Sequence, residues 1–300
     1  MNEIYHIPVL LNESIDALNI NPAGTYVDAT FGGGGHSREI LKRLTAGKLV
    51  AFDRDSDAEA NKISDDRFVF VRNNFRFLHN FLRYNNIDKV DGILADLGVS
   101  SHHFDDASRG FSFRYNAEID MRMNKNSEFS AAKLLNEYDE NELKRIFRDF
   151  GELLNANRIA KTIVEHRSKM PINTVNDFLN SIKSVTPQKS ENKFLAKVFQ
   201  ALRMEVNKET DALEQLLVHS LKCLKNKGRL VVITYHSIED RMVKNFMRSG
   251  NTDGKIAKDF YGNTNCPFRL VTRKAIVPSN SEIEKNSRAR SAKLRAAEKI

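Results

Sequence analysis

The sequence has few of the features that mark membrane, secreted and metal-binding proteins. It has no tryptophan, six prolines and two cysteines in 300 residues. Cys223 and Cys266 lie too far apart for a CxxC metal site or a disulfide framework, and the adjacent His102 and His103 lack any specific ligand spacing. No run approaches the roughly 20 apolar residues that span a bilayer, and the first residues lack a signal-length apolar core. We therefore expect a folded cytoplasmic protein with no metal and no membrane partner.

The charge is basic and unevenly distributed. Forty-seven Lys and Arg residues and 39 Asp and Glu residues give a net charge of +8. From Arg269 to Ile300, nine basic and three acidic residues give +6. Such a segment is typical of proteins that bind polyanions, although a solvated basic tail has the same composition. From about Pro278 onwards we expect a segment that is helical near its end or partly disordered.

Short buried runs alternate with helix-like segments in the first third of the chain. These runs are found in GTYVDATF, KLVAFDRD, RFVFVRNNF and VDGILADLG. The alternation predicts parallel strands joined by right-handed crossovers, which is the pattern of a doubly wound α/β sheet. Ligands of such sheets bind at the carboxyl ends of the strands.

Residues 107–205 have a different pattern, with helical spacing and no convincing strand. A strong buried strand, GRLVVITYHS, follows the helix-like stretch after residue 205 and starts next to Gly228. We therefore predict an α/β domain that is split in sequence into 1–106 and 206–300, with a helical insertion at 107–205.

Four consecutive glycines, 32–35, follow the first predicted strand. His36, Ser37 and Arg38 come next, so the lysine of a phosphate-binding P-loop is missing. The dinucleotide pattern GxGxxG lacks its third glycine in either register. The turn still offers backbone amides and a helix N-terminus, which favour a carboxylate. The pattern predicts a nucleotide-like ligand without a pyrophosphate.

Three further residues follow predicted strands at the same edge of the sheet. Asp53 ends the second strand, where a carboxylate can accept hydrogen bonds from ribose hydroxyls. Phe75 follows the third strand and can cover a purine, or belong to the core. Asp96 follows the fourth strand and can bind an ammonium group or accept a proton, with an Asx turn as the structural alternative. Together they predict an adenosine-type site.

The last predicted strand runs into the segment TYHSIEDR. Ser237 and Asp240 have the spacing of a helix start, which leaves Tyr235 and His236 available to the cleft. The absence of a GxSxG elbow argues against a serine hydrolase.

The sequence resembles the RsmH (MraW) family of S-adenosylmethionine-dependent methyltransferases in seven ordered motifs: VDATFGGGGHS, AFDRD, DGILADLGVSS, RGFSFRYNAEIDMRM, FQALRMEVNKE, YHSIEDR and NSRARSAKLR. The resemblance covers nearly the whole chain. It implies a Rossmann-like methyltransferase sheet with an inserted all-helical substrate domain. It also implies methyl transfer from S-adenosyl-L-methionine to the exocyclic N4 of a cytosine in the decoding region of 16S (small-subunit) rRNA, either naked or in the assembled small ribosomal subunit. No oligomeric state is predicted.

The resemblance also implies which residues contact the cofactor. By position they are Gly34, Gly35, His36, Asp53, Phe75, Asp96 and His103. His103 stands where the family often has glutamine.

The implied reaction requires positioning and proton transfer. A methyl sulfonium is already activated, so the protein must align the amine with the methyl carbon and accept a proton. Asp96 is the first predicted acceptor, and His236 or Tyr235 the second. Methylation at carbon 5 would need a cysteine nucleophile, but Cys223 lies in a helical context and Cys266 in a loop-like one. This favours nitrogen as the methyl acceptor.

The target base must leave its stack to enter a pocket. Aromatic and basic side chains bind unstacked bases. We expect such residues at the rim of the pocket, namely Phe111, Phe113, Arg114 and Arg122.

Two other functions fit parts of the sequence. A non-catalytic RNA-binding assembly factor would use the basic C-terminal segment in salt-sensitive binding without turnover. A nicotinamide oxidoreductase would require the missing third glycine to be dispensable.

Overall fold

The structure, a computed structural model, describes residues 8–98, 106–256, 260–261 and 266–300. The chain divides into two units: unit 1 comprises Met1–Gly98 and Thr210–Ile300, and unit 2 comprises Val99–Glu209. These bounds lie a few residues from the predicted ones, in part because one helix continues to Asn207.

The helices and strands are numbered in chain order. The helices are α1 (Leu11–Leu18), α2 (Gly35–Arg43), α3 (Leu78–Tyr84), α4 (Ala131–Glu137), α5 (Glu140–Asp149), α6 (Ala156–Arg167), α7 (Val175–Ile182), α8 (Glu191–Asn207), α9 (Glu209–Cys223), α10 (Ser237–Ser249) and α11 (Asn280–Lys285). The strands are β1 (Thr25–Asp28), β2 (Lys48–Asp53), β3 (Phe68–Arg72), β4 (Val90–Asp96), β5 (Leu224–Thr234), β6 (Phe268–Leu270) and β7 (Lys293–Lys299). Within the described ranges, no helix combines the length and apolar character that crossing a membrane requires.

The seven strands of unit 1 form one sheet in the order β3-β2-β1-β4-β5-β7-β6. Strands β1 to β5 are parallel, whereas β7 runs antiparallel to both β5 and β6. The strand order reverses between β1 and β4, which creates the crevice where doubly wound sheets bind ligands. The predicted Rossmann-like α/β sheet is confirmed.

Strand β5 shows why the sheet is buried on both faces. Leu230 and Val232 pack into one hydrophobic cluster, and Val231 and Ile233 pack into another. Because alternate side chains point to opposite faces, a strand covered on both sides has a continuous apolar run. β5 begins at Leu224, before the predicted start, and its pairing with β4 shifts register between Val90 and Gly92.

The C-terminal segment corrects the expectation of a helical or partly disordered end. β7 lies inside the sheet between β5 and β6, with Ala296 and Ala297 fully buried. Arg295 donates two hydrogen bonds to the Asp240 carboxylate, at 2.7 and 3.1 Å. The strand tolerates its charges because Asp240 pairs with both Lys293 and Arg295, and Lys299 donates to backbone carbonyls.

Unit 2 is helical in its described part, where no strand is assigned and one isolated bridge joins Glu118 and Thr174. Its helices begin at recognisable caps. Asp139 and Glu142 form a capping box at α5, in which each side chain accepts the other's backbone amide hydrogen. The core of the unit is built from α4 to α8 around residues such as Phe147 and Phe178.

Candidate active site

The glycine turn joins β1 to α2. Gly32 and Gly34 have φ of 50° and 75°, a left-handed conformation that favours glycine. A Cβ on Gly34 would also lie 2.9 Å from the Phe31 ring. A Cβ on Gly35 would lie 2.2 Å from Pro8 Cγ, whereas one on Gly32 would meet no atom within 4 Å. The protein's own packing therefore explains Gly34 and Gly35, and the open side of the turn is at Gly32.

The first turn of α2 presents backbone amides at the end of this loop. The first hydrogen bond within the helix runs from the Arg38 amide to the Gly34 carbonyl, at 2.9 Å. Three earlier amides have no acceptor inside the helix, namely those of Gly35, His36 and Ser37. The positive end of the helix dipole adds to their attraction for a carboxylate.

Two buried side chains brace the turn. The Asp28 carboxylate accepts hydrogen bonds from the Ser37 hydroxyl at 2.6 Å and the Thr30 amide at 3.0 Å. Burial raises the pKa of Asp28, and the nearby His36 and these hydrogen bonds partly offset that effect. The His36 ring is buried with Nε2 3.1 Å from the Val9 carbonyl oxygen. A cofactor contact by His36 therefore remains a prediction for its backbone amide.

Asp53 connects the end of β2 to the glycine turn. One carboxylate oxygen accepts the Gly32 amide at 2.8 Å, and the other accepts the Asp55 amide at 2.9 Å. Burial raises the pKa of Asp53, and the two amides partly offset that effect. Each carboxylate oxygen has a second lone pair, so a ribose contact remains a prediction. The structural role toward Gly32 was not visible in the sequence.

Two further residues of the predicted cofactor site are Phe75, which follows β3, and His103, which follows β4. Phe75 is the first residue of a short 3-10 turn. Its side chain is partly buried against the hydrophobic cluster that contains Leu230 and Val232. The side chain of Asn74 caps this turn by accepting the Arg76 amide at 3.0 Å. His103 lies outside the described residues. Phe75 thus has a structural role, and its contact with a purine remains a prediction.

Asp96 and Tyr235 meet because β4 and β5 are neighbours, with Asp96 paired to Ile233. The Tyr235 hydroxyl hydrogen-bonds to the Asp96 carboxylate, and burial followed by the Asp96 charge raises the pKa of Tyr235. Tyr235 is therefore protonated at neutral pH and acts as a donor to Asp96. The Oδ1 atom of Asp96 is buried and has no hydrogen-bond partner among the described residues.

His236 and Glu239 hold the turn between β5 and α10. Nδ1 of His236 accepts the Glu239 amide at 3.5 Å, and its Nε2 lies 3.1 Å from Glu239 Oε1. The other Glu239 oxygen accepts the Tyr235 amide at 3.0 Å. Glu239 is buried, and it is not among the residues predicted from the sequence. The signal that could have identified it is its capping-box spacing, three residues after His236.

The helix α10 begins at Ser237 as predicted, but the predicted capping pair of Ser237 and Asp240 was wrong. The N-cap is His236, whose extended backbone precedes the helix. Asp240 accepts two hydrogen bonds from Arg295 of β7. For Asp240, the ion pair with Arg295 is more favourable than a local capping hydrogen bond. The local sequence around Asp240 does not indicate such a distant partner.

Three of the predicted site residues, Asp53, Asp96 and Tyr235, take part in contacts at this edge. Gly32 bonds to Asp53, Asp96 donates its amide to the Thr30 hydroxyl at 2.6 Å, and Tyr235 bonds to Asp96. The ends of β1, β2, β4 and β5 thus form one hydrogen-bonded edge. An edge of this kind can hold a polar ligand by its amides and carboxylates and can accept a proton.

Both cysteines lie at the opposite edge of the sheet. Cys223 immediately precedes β5, and Cys266 lies just before β6. Burial raises the pKa of Cys223 to about 11, and the Cys266 thiol donates to the Phe268 carbonyl at 3.2 Å. Neither thiol is placed to form a covalent adduct with a base at the edge that carries Asp96.

Part of the predicted rim of the base pocket belongs to the interior of unit 2. Phe111 is 4% exposed and lies in the core, so its prediction as a rim residue was wrong. Phe113 is partly buried against that core, and Arg122 is held by two hydrogen bonds to Asp120 at 2.7 and 2.8 Å. Arg114 is exposed. Aromatic residues in the motif FSF supply the core because a helical unit of this size needs large apolar side chains.

Comparison with known proteins gives matches along nearly the whole chain. A family model described as the MraW methylase family matches residues 3–300. Ribosomal RNA small subunit methyltransferase H of Bacteroides fragilis is 59% identical over 98% of this chain and 97% of its own. The protein of the same name from Phocaeicola vulgatus is 59% identical over 99% and 98%. A solved putative methyltransferase from Streptococcus mutans, in complex with SAH, aligns over 98% and 100% at 12% identity and a TM-score of 0.41, a similarity too low to support an argument.

Proposed function

The chain belongs to the MraW methylase family, and we propose that it transfers a methyl group from S-adenosyl-L-methionine to the exocyclic N4 of a cytosine in small-subunit rRNA. One observation carries this proposal: 59% identity over 98% of the chain with a protein named ribosomal RNA small subunit methyltransferase H. The family resemblance found in the sequence is confirmed. For this substrate the proposed location is the cytoplasm.

The carboxyl edge of the sheet fits the proposed cofactor. Gly32 borders open space, the amides at the start of α2 suit the carboxylate of the methionine end, and Asp53 suits the ribose hydroxyls. When bound, S-adenosyl-L-methionine supplies an activated methyl group on a positively charged sulfur. The absence of a P-loop lysine agrees with a ligand that carries no phosphate.

Asp96 is the proposed proton acceptor. The lone pair of the cytosine amine is delocalised into the ring, so an acceptor at the amine favours a more reactive, pyramidal nitrogen. Asp96 Oδ1 is buried and, within the described part of the chain, unpartnered, which supports this role. The Tyr235 hydroxyl donates to the same carboxylate.

His236 is the second proposed acceptor. Its Nδ1 is used by the cap of α10, while its Nε2 lies 3.1 Å from Glu239 Oε1. Glu239 is therefore proposed as a positioning residue for both His236 and Tyr235.

The two alternatives that the sequence left open are less well supported. A non-catalytic assembly factor does not require buried carboxylates at the ends of β1, β2 and β4. In a nicotinamide oxidoreductase the third glycine allows close packing of helix and strand. Here Ser37 stands at that position and is bonded to Asp28.

The proposal is tested by isotope transfer. Small ribosomal subunits that lack the methyl group are incubated with the protein and S-adenosyl-L-methionine carrying a trideuterated methyl group. Their rRNA is then digested to nucleosides for mass spectrometry. We expect trideuterated N4-methylcytidine, with none in a reaction without protein. Label at carbon 5 of cytidine, or no labelled cytidine, would contradict the proposal.

A further inference from the structure

The topology of the last two strands directs residues 271–292 toward one edge of the sheet. β6 is antiparallel to β7, and β7 is antiparallel to β5, so β6 and β5 run in the same direction. The chain leaves β6 after Leu270 and enters β7 at Lys293, which pairs with Thr234 at the end of β5. The segment between the two strands therefore starts beside Ala296 of β7, runs toward the carboxyl edge and ends there, where Lys293 pairs with the residue before Tyr235.

This segment is fixed to the candidate site. Ile276 and Leu294 exchange two backbone hydrogen bonds, of 2.9 and 2.8 Å. The Leu10 amide donates to Glu282 Oε1 of α11 at 2.7 Å. Leu10 directly follows Val9, whose carbonyl oxygen contacts His36 beside the glycine turn. The segment is thus held by β7 and by Leu10, whose neighbour Val9 contacts His36.

Six of the nine basic residues between Arg269 and Ile300 fall into two groups. Arg295 and Lys299, in β7, are used by the fold: Arg295 bonds to Asp240, and Lys299 donates to two backbone carbonyls at 2.7 and 2.9 Å. The second group, which we name the basic rim, is exposed and forms no ion pair within the described residues. It consists of Arg273, Lys274, Lys285 and Arg290.

We propose that the basic rim binds the phosphate backbone of the rRNA strand next to the target cytosine. The inference rests on the proposed function, because it takes rRNA as the substrate. Four cations without acidic partners lie on a segment that is anchored beside the cofactor edge, so RNA binding would require little ordering of that segment. Phosphate contacts of this kind position a nucleic acid without reading its sequence.

The test compares two sets of glutamine substitutions. The rim variant is R273Q/K274Q/K285Q/R290Q. The control is K48Q/K227Q, which removes two exposed lysines at the opposite edge, one at the start of β2 and one near the start of β5. Methyl transfer is measured against the concentration of unmethylated small subunits at several salt concentrations. Calorimetry measures the affinity for S-adenosyl-L-methionine, and thermal melts measure folding.

For the rim variant we expect KM for subunits to rise about tenfold or more, with kcat and cofactor affinity within about twofold of wild type. The logarithm of kcat/KM should fall less steeply with the logarithm of salt, by about 0.7 for each lost phosphate contact. The control should change KM by less than about twofold. If the rim variant has a lower melting temperature than wild type, the double variant K285Q/R290Q replaces it. This variant should show about half the change in the salt dependence of kcat/KM.

An unchanged KM in the rim variant, or an equal rise in the control, would overturn the inference. A loss of cofactor affinity in the rim variant would also overturn it, because the rim would then act through the cofactor site. If wild-type protein methylates no subunits, the proposed function fails by itself. The rim is then tested by its salt-dependent affinity for a single-stranded transcript of small-subunit rRNA, where equal affinity of wild type and rim variant overturns it.

Discussion

The two edges of the sheet in unit 1 use charge in opposite ways. At the amino edge, Asp91 accepts the Thr25 amide and the Lys225 ammonium, both at 2.8 Å, and Glu298 pairs with Arg229 at 2.9 Å. At the carboxyl edge, the acidic residues at the ends of β1, β2 and β4 are Asp28, Asp53 and Asp96. Within the described part of the chain these three form no ion pair with Lys or Arg, and backbone amides and hydroxyl groups are their donors.

This difference separates stability from function. A buried carboxylate without a cationic partner costs stability, because burial disfavours its charged form. Carboxylates of this kind cluster at binding and catalytic sites. The amino edge therefore contributes mainly to folding, and the carboxyl edge gives up stability to keep acceptors available for a ligand.

The largest effect is expected when the proposed acceptor is changed. Asp96→Asn keeps the shape of the side chain but removes its charge. We expect kcat to fall by about 10² to 10⁴-fold, the usual contribution of a general base, with a melting temperature near that of wild type. Methyl transfer to unmethylated small subunits measures the change. A variant that keeps more than about a tenth of the activity would exclude Asp96 as the acceptor.

A matched pair of aspartates compares the two edges directly. Asp53 and Asp91 each accept a backbone amide at 2.8 Å. Asp53→Ala should weaken binding of S-adenosyl-L-methionine by about 1 to 3 kcal/mol, because a buried acceptor is lost. Asp91→Ala should lower the free energy of unfolding by about 1 kcal/mol and leave cofactor affinity unchanged. Calorimetry and urea unfolding measure both. Equal loss of cofactor affinity in the two variants would remove the distinction between the edges.

Two glycines sharpen the comparison within the turn. Gly35→Ala places a Cβ 2.2 Å from Pro8 Cγ and should lower the free energy of unfolding by about 1 to 3 kcal/mol. Gly32→Ala faces open space, so its cost should be about 1 kcal/mol from its left-handed backbone, but its methyl group should weaken cofactor binding several-fold. Urea unfolding measures stability, and calorimetry measures cofactor binding. If Gly35→Ala weakened cofactor binding and Gly32→Ala did not, the ligand would lie on the Gly35 side of the turn.

The smallest expected effect is a change in the pH dependence of stability. Burial raises the pKa of Asp28 above its unfolded value of about 3.9, so the folded state binds more protons between the two values. The free energy of unfolding should therefore fall as pH rises through that interval. Asp28→Asn should flatten this slope by at most about 1.4 kcal/mol per pH unit. Urea unfolding from pH 4 upwards tests it, and identical slopes would show that Asp28 does not titrate in this way.

The sequence predicted the sheet well because buried parallel strands have continuous apolar runs. Leu230 to Ile233 are all fully buried, and the polar residues that follow such runs lie at the carboxyl edge. It did not predict β7, because KLRAAEK contains only one large apolar residue and its alanines and charged residues are also common in surface helices. The acidic residues that neutralise this strand, such as Asp240, are distant in sequence from their partners.

The site could be predicted in residue type but not in detail. Asp53 and Asp96 follow strands, which is a local signal, whereas their contacts with Gly32 and Tyr235 depend on neighbouring strands of the sheet. Gly35 suggested close approach of a ligand, but Pro8 occupies that side. Such contacts between separate segments have no local sequence signal.

Hydrogen exchange with and without S-adenosyl-L-methionine tests the division between the edges most directly. At a cofactor concentration that calorimetry shows to saturate the protein, we predict slower exchange in segments 28–37, 53–55, 73–77 and 94–98 of the carboxyl edge. Segments 21–26, 45–48, 88–91 and 224–229 of the amino edge should exchange at the same rate with and without cofactor. Protection of the amino edge, or no protection of the carboxyl edge in the saturated protein, would contradict the account.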